Sequence, residues 1–201
     1  MFLFLKLLKW GAISIAVAFA VLVVYRMFVL RDKQKTDEQV AKIHATKLTL
    51  DDVMGKNLPP DPGADADKTV QGIDANHNGI RDDVELAIFK EYPNSAKTRA
   101  VLLQYALALQ METVQPIVNQ GTVTEVVREQ SRAYSCVGKI FSRVDINKYI
   151  AEGGKLRSFV KDRQRNTQDR EKARKDFVEK ISSYSESENK VCDIDLLTLP
   201  N

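Results

Sequence analysis

The chain begins with an apolar run and then settles into the alternation of apolar and polar positions that marks helices. Sixteen consecutive residues from Trp10 to Tyr25, WGAISIAVAFAVLVVY, carry no charge. Lys6 and Lys9 precede the run, and Arg26 and Arg31 follow it. A spanning helix needs roughly 20 apolar residues, and residues 27–30 extend the run to about that length once Arg26 snorkels. The pattern predicts an uncleaved transmembrane anchor over residues 1–30. A cleaved signal peptide is the competing reading, because Ala18 and Ala20 fit a small-residue cleavage site. Cutting there would leave VLVVYRMFVL as an exposed apolar end without evident use, so the anchor is preferred.

Residues 31–54 are polar and rich in helix formers, with a weak stripe through Val40, Ile43 and Leu48, and read as a helical stalk. Residues 55–69, GKNLPPDPGADADKT, read as an ordered linker rather than a helix. A globular part over residues 70–201 follows. Its first helix is short, with Val84, Ala87 and Ile88 on one side, and Pro93 and Asn94 make a break. From Ser95 to about Val114 the chain is apolar on nearly all faces, which predicts the central helix of a bundle, ended or kinked by Pro116.

A second long helix is expected over Thr122 to Val144, with a core stripe of Val126, Ala133, Val137, Ile140 and Val144. Asp145 caps a short helix over residues 147–152, closed by Gly153 and Gly154. A last helix over residues 167–185 places Phe177, Val178, Ile181 and Tyr184 on one face. Strand signals are nearly absent and there is no internal repeat. The expected fold is all-α: a transmembrane helix followed by a small helical bundle, with about 130 residues available for a core.

Charge adds a distinction between the two ends. The net charge is +3, but residues 1–35 hold six basic residues against the single acid Asp32, so the remainder is −2. The basic balance belongs to the membrane end and argues against a nucleic-acid surface. Arg26, Arg31, Lys33 and Lys35 outnumber Lys6 and Lys9, which by flanking charge alone would keep the domain in the cytoplasm.

The two cysteines, Cys136 and Cys192, form no C-x-x-C pair and are too few for a disulfide scaffold. In an oxidising compartment they are expected to pair, pinning the apolar tail VCDIDLLTLP to the helices. Loop entropy makes such a bond worth on the order of 4 kcal/mol. The alternative is two buried free thiols in a cytoplasmic protein.

Candidate chemistry concentrates in residues 74–85, DANHNGIRDDVE. Oxygen-bearing side chains alternate at Asp74, Asn76 and Asn78, Gly79 permits a sharp turn, and Asp82 and Glu85 follow. Calcium takes six to eight oxygens and can be wrapped by a twelve-residue loop of this kind. The stretch resembles the EF-hand loop, D-x-[DN]-x-[DN]-G with an acid at the twelfth place. The resemblance implies a calcium site with Asp74, Asn76, Asn78, Ile80 (through its carbonyl), Asp82 and Glu85 as ligands.

Arg81 stands where EF-hands carry an aliphatic residue, there is no second loop, and the segment before Asp74 is not helical. The unit is therefore closer to single loop-plus-exit-helix sites and thrombospondin type-3-like repeats than to paired sensors. Dockerins carry two such loops in tandem, so a cohesin-binding role is not expected. Three carboxylates and two amides suit an affinity of roughly 10⁻⁴ to 10⁻³ M, which only an extracytoplasmic compartment would satisfy. That consideration is set above the flanking charges. A bare polar turn before a helix accounts for Asn78-Gly79 and for Asp82 and Asp83, though not for Asp74 or Glu85.

Other chemistry is sparse. His44 and His77 are far apart and have no cysteine neighbours, against a zinc centre. No phosphate loop, G-x-S-x-G or Cys–His pairing is found. Residues 155–176 mix nine basic residues with four acids, which suits a solvated helical face. The sequence thus leads to a non-enzymatic, single-pass inner-membrane protein. Its periplasmic domain would bind calcium (Ca2+) structurally and serve an unidentified protein partner. Alternatives are a metal-free adaptor facing the cytoplasm, with its basic helix on lipid headgroups, and a calcium-dependent hydrolase using the loop carboxylates.

Overall fold

The apolar run and the polar stretch after it form one unbroken helix, α1 (Phe2–Ala45). It belongs to a computed structural model that describes residues 2–182 and 190–200. Side chains from Trp10 to Leu30 lie outside the packed core, and α1 alone among the described helices is long and apolar enough to cross a membrane. At about 1.5 Å per residue its 44 residues extend roughly 66 Å, about twice a hydrocarbon core. The excess length enters the folded domain, where Gln39 and Ile43 are buried. Residues expected as a stalk therefore supply core: Leu48 and Val53 are buried beside Ile43.

α2 (Leu50–Met54) is started by a capping box. The Asp52 N–H donates to the Thr49 hydroxyl at 3.2 Å, and the Thr49 N–H donates to the Asp52 carboxylate at 2.8 Å. Gly55 ends it in the left-handed conformation, where a side chain would run into Phe89. The linker that follows holds a single 3-10 turn, Gly63–Asp67.

The bundle proper comprises α3 (Asp82–Glu91), α4 (Ala96–Val114), α5 (Gln120–Val137), α6 (Ile146–Gln164) and α7 (Gln168–Val178). No strand occurs among the described residues. α4 is central, as its all-round apolar sequence predicts: every residue from Arg99 to Met111 is buried, and α2, α3, α5, α6 and α7 all pack on it. Side-chain caps start the helices at Ser95, Asn119, Asp145 and Thr167. α1 packs on α5, where His44 meets Glu125; Gln39 donates to Gln115 at the end of α4, and Lys47, just past α1, meets Glu129 of α5.

Three expected boundaries differ. α5 stops at Val137, not Val144, and Val144 is 96% exposed. The chain passes into a 3-10 turn at Gly138–Ile140, and Tyr149 packs where a side chain on Gly138 would stand. α6 runs straight through Gly153 and Gly154. Gly153 is buried, and the Arg157 guanidinium lies over it, so packing overrides the weak helix propensity of the pair. α7 ends at Val178, which is exposed; of the other residues on the expected face, Phe177 is buried, Ile181 is half-buried, and Tyr184 lies outside the described residues.

The tail returns to the bundle as expected. Cys136 and Cys192 form a disulfide with Cα atoms 5.1 Å apart, and Leu199 is buried. Asp193 accepts from the Leu48 N–H at 3.0 Å and pairs with Arg132 at 2.6 Å. Arg132 is buried, which works against its charge, but hydrogen bonds to Glu129 and Asp193 outweigh that and raise its pKa.

Candidate metal centre

Residues 74–85 fold back on themselves between the linker and α3. The loop is closed by the Asp82 N–H, which donates to the Ile73 carbonyl at 2.9 Å. Two residues take left-handed backbone, His77 (φ 58°) and Gly79 (φ 84°). At Gly79 a side chain would meet Leu107 of α4 at 2.7 Å, so glycine is required by both conformation and close packing. Ile80 is fully buried in the core and fastens the loop to the bundle.

The oxygen-bearing side chains organise this turn. The Asp74 carboxylate accepts from the Asn78 N–H at 3.1 Å and from the Gly79 N–H at 2.9 Å. Asn78 Oδ1 accepts from the Ile80 N–H at 2.8 Å. Both Asp82 oxygens accept from the Ala75 N–H at 3.1 Å. Asn76 and Asn78 each donate through Nδ2 to the same Glu85 oxygen at 3.1 Å, and Asn76 also donates to the Asn57 carbonyl at 2.8 Å. The last bond ties the Pro-rich linker to the loop.

Glu85 is the unusual member. It is 1% exposed, and burial pushes its carboxyl up to about 7; the Asn76 and Asn78 hydrogen bonds oppose the rise, while Asp52 and Asp82 add to it. Asp82 is fully buried and likewise raised, first by burial and then by Asp74 and Asp83. No cation pairs with Asp74, Asp82 or Glu85 among the described residues. Arg81, although adjacent, faces away. Its guanidinium is fully buried and bonded to Asp83 at 2.5 Å and to the carbonyls of Arg163 and Gln164 at the end of α6. Arg81 thus serves as a strut between the loop and α6.

Asn76, Asn78 and Glu85 are brought into direct contact, Asp74 holds the turn, and Asp82 caps its start. Ile80 contributes a buried side chain and its place in the loop. No group of three or more His, Cys, Asp or Glu side chains that could hold a metal ion by themselves occurs among the described residues. The oxygens gathered here are a mixed set in which side-chain amides stand beside Glu85. His77 is exposed, as a solvent-facing loop position should be.

Three anchoring arginines were not legible as such. Arg81 is flagged in sequence only as a departure from the loop pattern. Arg170 is hidden in the charge-rich stretch, yet it is buried and holds the linker through the carbonyls of Ala66, Thr69 and Val70 and the Asp67 carboxylate. Arg99 holds the carbonyls of Val53, Tyr92 and Pro93. No family model matches this chain, and no curated protein or solved structure matches it.

Proposed function

We propose that this is a membrane-anchored extracytoplasmic protein whose loop 74–85 binds calcium as a structural ion, with a binding or scaffolding role and no catalysis. The observation that carries the reading is the buried Glu85 carboxylate, gathered with Asn76 and Asn78 and lacking any basic partner. A buried carboxylate partnered only by neutral amides is costly when charged. A divalent cation would supply the missing charge. The amides can serve it by rotating half a turn about their last side-chain bond, which exchanges Nδ2 for Oδ1. Asp74, Asn76, Asn78, the Ile80 carbonyl, Asp82 and Glu85 would then form an all-oxygen set of the hard type calcium prefers.

Its role would be mechanical. The loop links Asn57 of the linker, the Leu107 face of α4 and the start of α3, so neutralising its carboxylates would stiffen the junction between anchor and bundle. The side of the membrane is supported by two arguments. The Cys136–Cys192 bond suits an oxidising compartment, and a loop of modest affinity fills only where calcium is abundant. The continuity of α1 into the core supports a retained anchor over a cleaved leader, since cutting after Ala20 would divide one helix.

The flanking cations Arg26, Arg31, Lys33 and Lys35 favour a second reading, a cytoplasmic domain with a metal-free loop. Isothermal titration of the full chain in detergent with calcium, beside Glu85→Gln, separates the two. The first reading requires saturable binding in the wild type and none in the variant. A C-terminal reporter active only outside the cytoplasm fixes the orientation independently.

A further inference from the structure

A second built site lies in a cleft that shares no residue with the calcium loop. The cleft, about 680 Å3 in volume, is bounded by α4, α5, α6 and α7. Leu109 and Val127 give it apolar surface, Tyr105 lines it, and Lys161, Arg165 and Arg174 bring positive charge to its walls. The volume falls in the range of about 300–1,000 Å3 typical of ligand sites.

Among the described residues only part of this charge is paired. Arg174 is paired with Glu112 at 2.8 Å, and Gln130 donates to the same carboxylate at 3.1 Å. Lys161 and Arg165 have no carboxylate partner among the described residues, and Arg165 Nε is buried without a hydrogen-bond partner. Arg157 stacks over the Tyr134 ring at 4.1 Å and likewise meets no carboxylate there. Tyr105 is only 5% exposed. Burial raises its pKa, while Arg165, Arg157 and Arg174 oppose the rise, which places three guanidinium groups within electrostatic reach of one phenol. Lys161 and Arg165 are half-buried, and the buried Nε of Arg165 is a donor that an anion entering the cleft would satisfy, a gain an open surface does not offer.

The spacing selects among anions. Arg165 caps the end of α6 one turn after Lys161, its N–H donating to the Lys161 carbonyl at 3.0 Å, so the two side chains leave the backbone about 5–6 Å apart. Carboxylates at alternate positions of an extended peptide recur at about 6.6 Å on one side. The cations are spread along a wall, with apolar surface between that wall and the next. This suits a chain carrying several single charges better than one compact anion. We propose that the cleft docks an extended acidic segment of a partner protein, with carboxylates at alternate positions meeting Lys161 and Arg165. The proposal gives the partner a chemistry but does not depend on calcium occupancy of the loop.

Fluorescence anisotropy on the full chain in non-ionic detergent tests it. The probe is a labelled pentapeptide with glutamate at alternate positions and leucine between, beside its glutamine counterpart. Saturable binding of the glutamate peptide only is expected. Arg165→Gln and Lys161→Gln should each weaken it about tenfold, while Lys148→Gln, an exposed charge outside the cleft, should change it less than about twofold. Melting curves establish that each variant is folded, and Lys161→Gln decides the matter if Arg165→Gln is not. Equal binding of the glutamine peptide, no loss in a folded cleft variant, or the same loss in Lys148→Gln would overturn the proposal. Displacement by millimolar inorganic phosphate would also overturn it, assigning the cleft to a small oxyanion instead.

Discussion

Replacing Cys136 and Cys192 together by alanine removes a crosslink between positions 56 residues apart. Loop entropy at that separation gives about 4 kcal/mol of stabilisation, acting on the unfolded chain. The folded state has other means of holding the tail. Gln104 donates to the Val191 carbonyl at 2.8 Å and accepts from the Asp193 N–H at 2.9 Å, and Asp193 reaches both Leu48 and Arg132. The double variant should therefore keep its helical signal at 25 °C while melting earlier. A domain of this size moves by about 2–4 °C per kcal/mol, so the expected drop is roughly 8–16 °C. Far-UV circular dichroism of the full chain in detergent reads both quantities. A drop below about 2 °C would refute the entropic reasoning. Two titratable thiols in wild-type protein unfolded without reductant would refute the pairing itself.

Arg170→Met should destabilise the fold by roughly 2–4 kcal/mol, because the carbonyls of Ala66, Thr69 and Val70 lose their donor; the share from half-exposed Asp67 is screened. A urea melt measures it, and a cost under about 1 kcal/mol would show that water replaces the guanidinium freely. The same residue shapes acid behaviour. Its hydrogen bond, with that of Asn166, holds the Asp67 pKa below the ordinary value, so this stability is present above about pH 4 and is lost as pH falls through the lowered pKa. Wild type should accordingly lose more stability than Arg170→Met between about pH 4 and pH 2, and parallel profiles would contradict that assignment. Gly79→Ala should cost at least about 1–2 kcal/mol from left-handed backbone alone, with more from the Leu107 clash; an unchanged melt would mean that the loop is not held as described.

What could be read from the sequence follows from how local each signal is. The all-round apolar run from Val101 to Leu109 marked the central helix, and Ser95 and Asp145 marked helix starts, because caps and periodicity are short-range. The alternation at Asp74, Asn76 and Asn78 likewise marked the loop. Boundaries set by distant partners were not legible. Gly153 and Gly154 read as a stop, but Arg157 packing carries the helix through them. Gly138, at the end of α5, leaves room for Tyr149, eleven residues on. Residues 155–176 read as a solvated face, yet Arg157, Gln164 and Arg170 are buried there, since a guanidinium in reach of carbonyls can enter a core. The cleft cations lie in that same charge-rich stretch, but their grouping was not legible, because Arg174 and Arg165 come near Tyr105 only once α4, α6 and α7 are assembled.

The proposal that residues 74–85 bind calcium is tested most directly by melting the full chain in detergent, first in chelator and then in 10 mM calcium. With a dissociation constant of roughly 10⁻⁴ to 10⁻³ M, linkage gives about 1.4–2.7 kcal/mol, or a rise of about 3–11 °C. Glu85→Gln should abolish the rise. An identical melting temperature in chelator and calcium, for wild type and variant alike, would contradict the metal reading and leave residues 74–85 as a hydrogen-bonded turn.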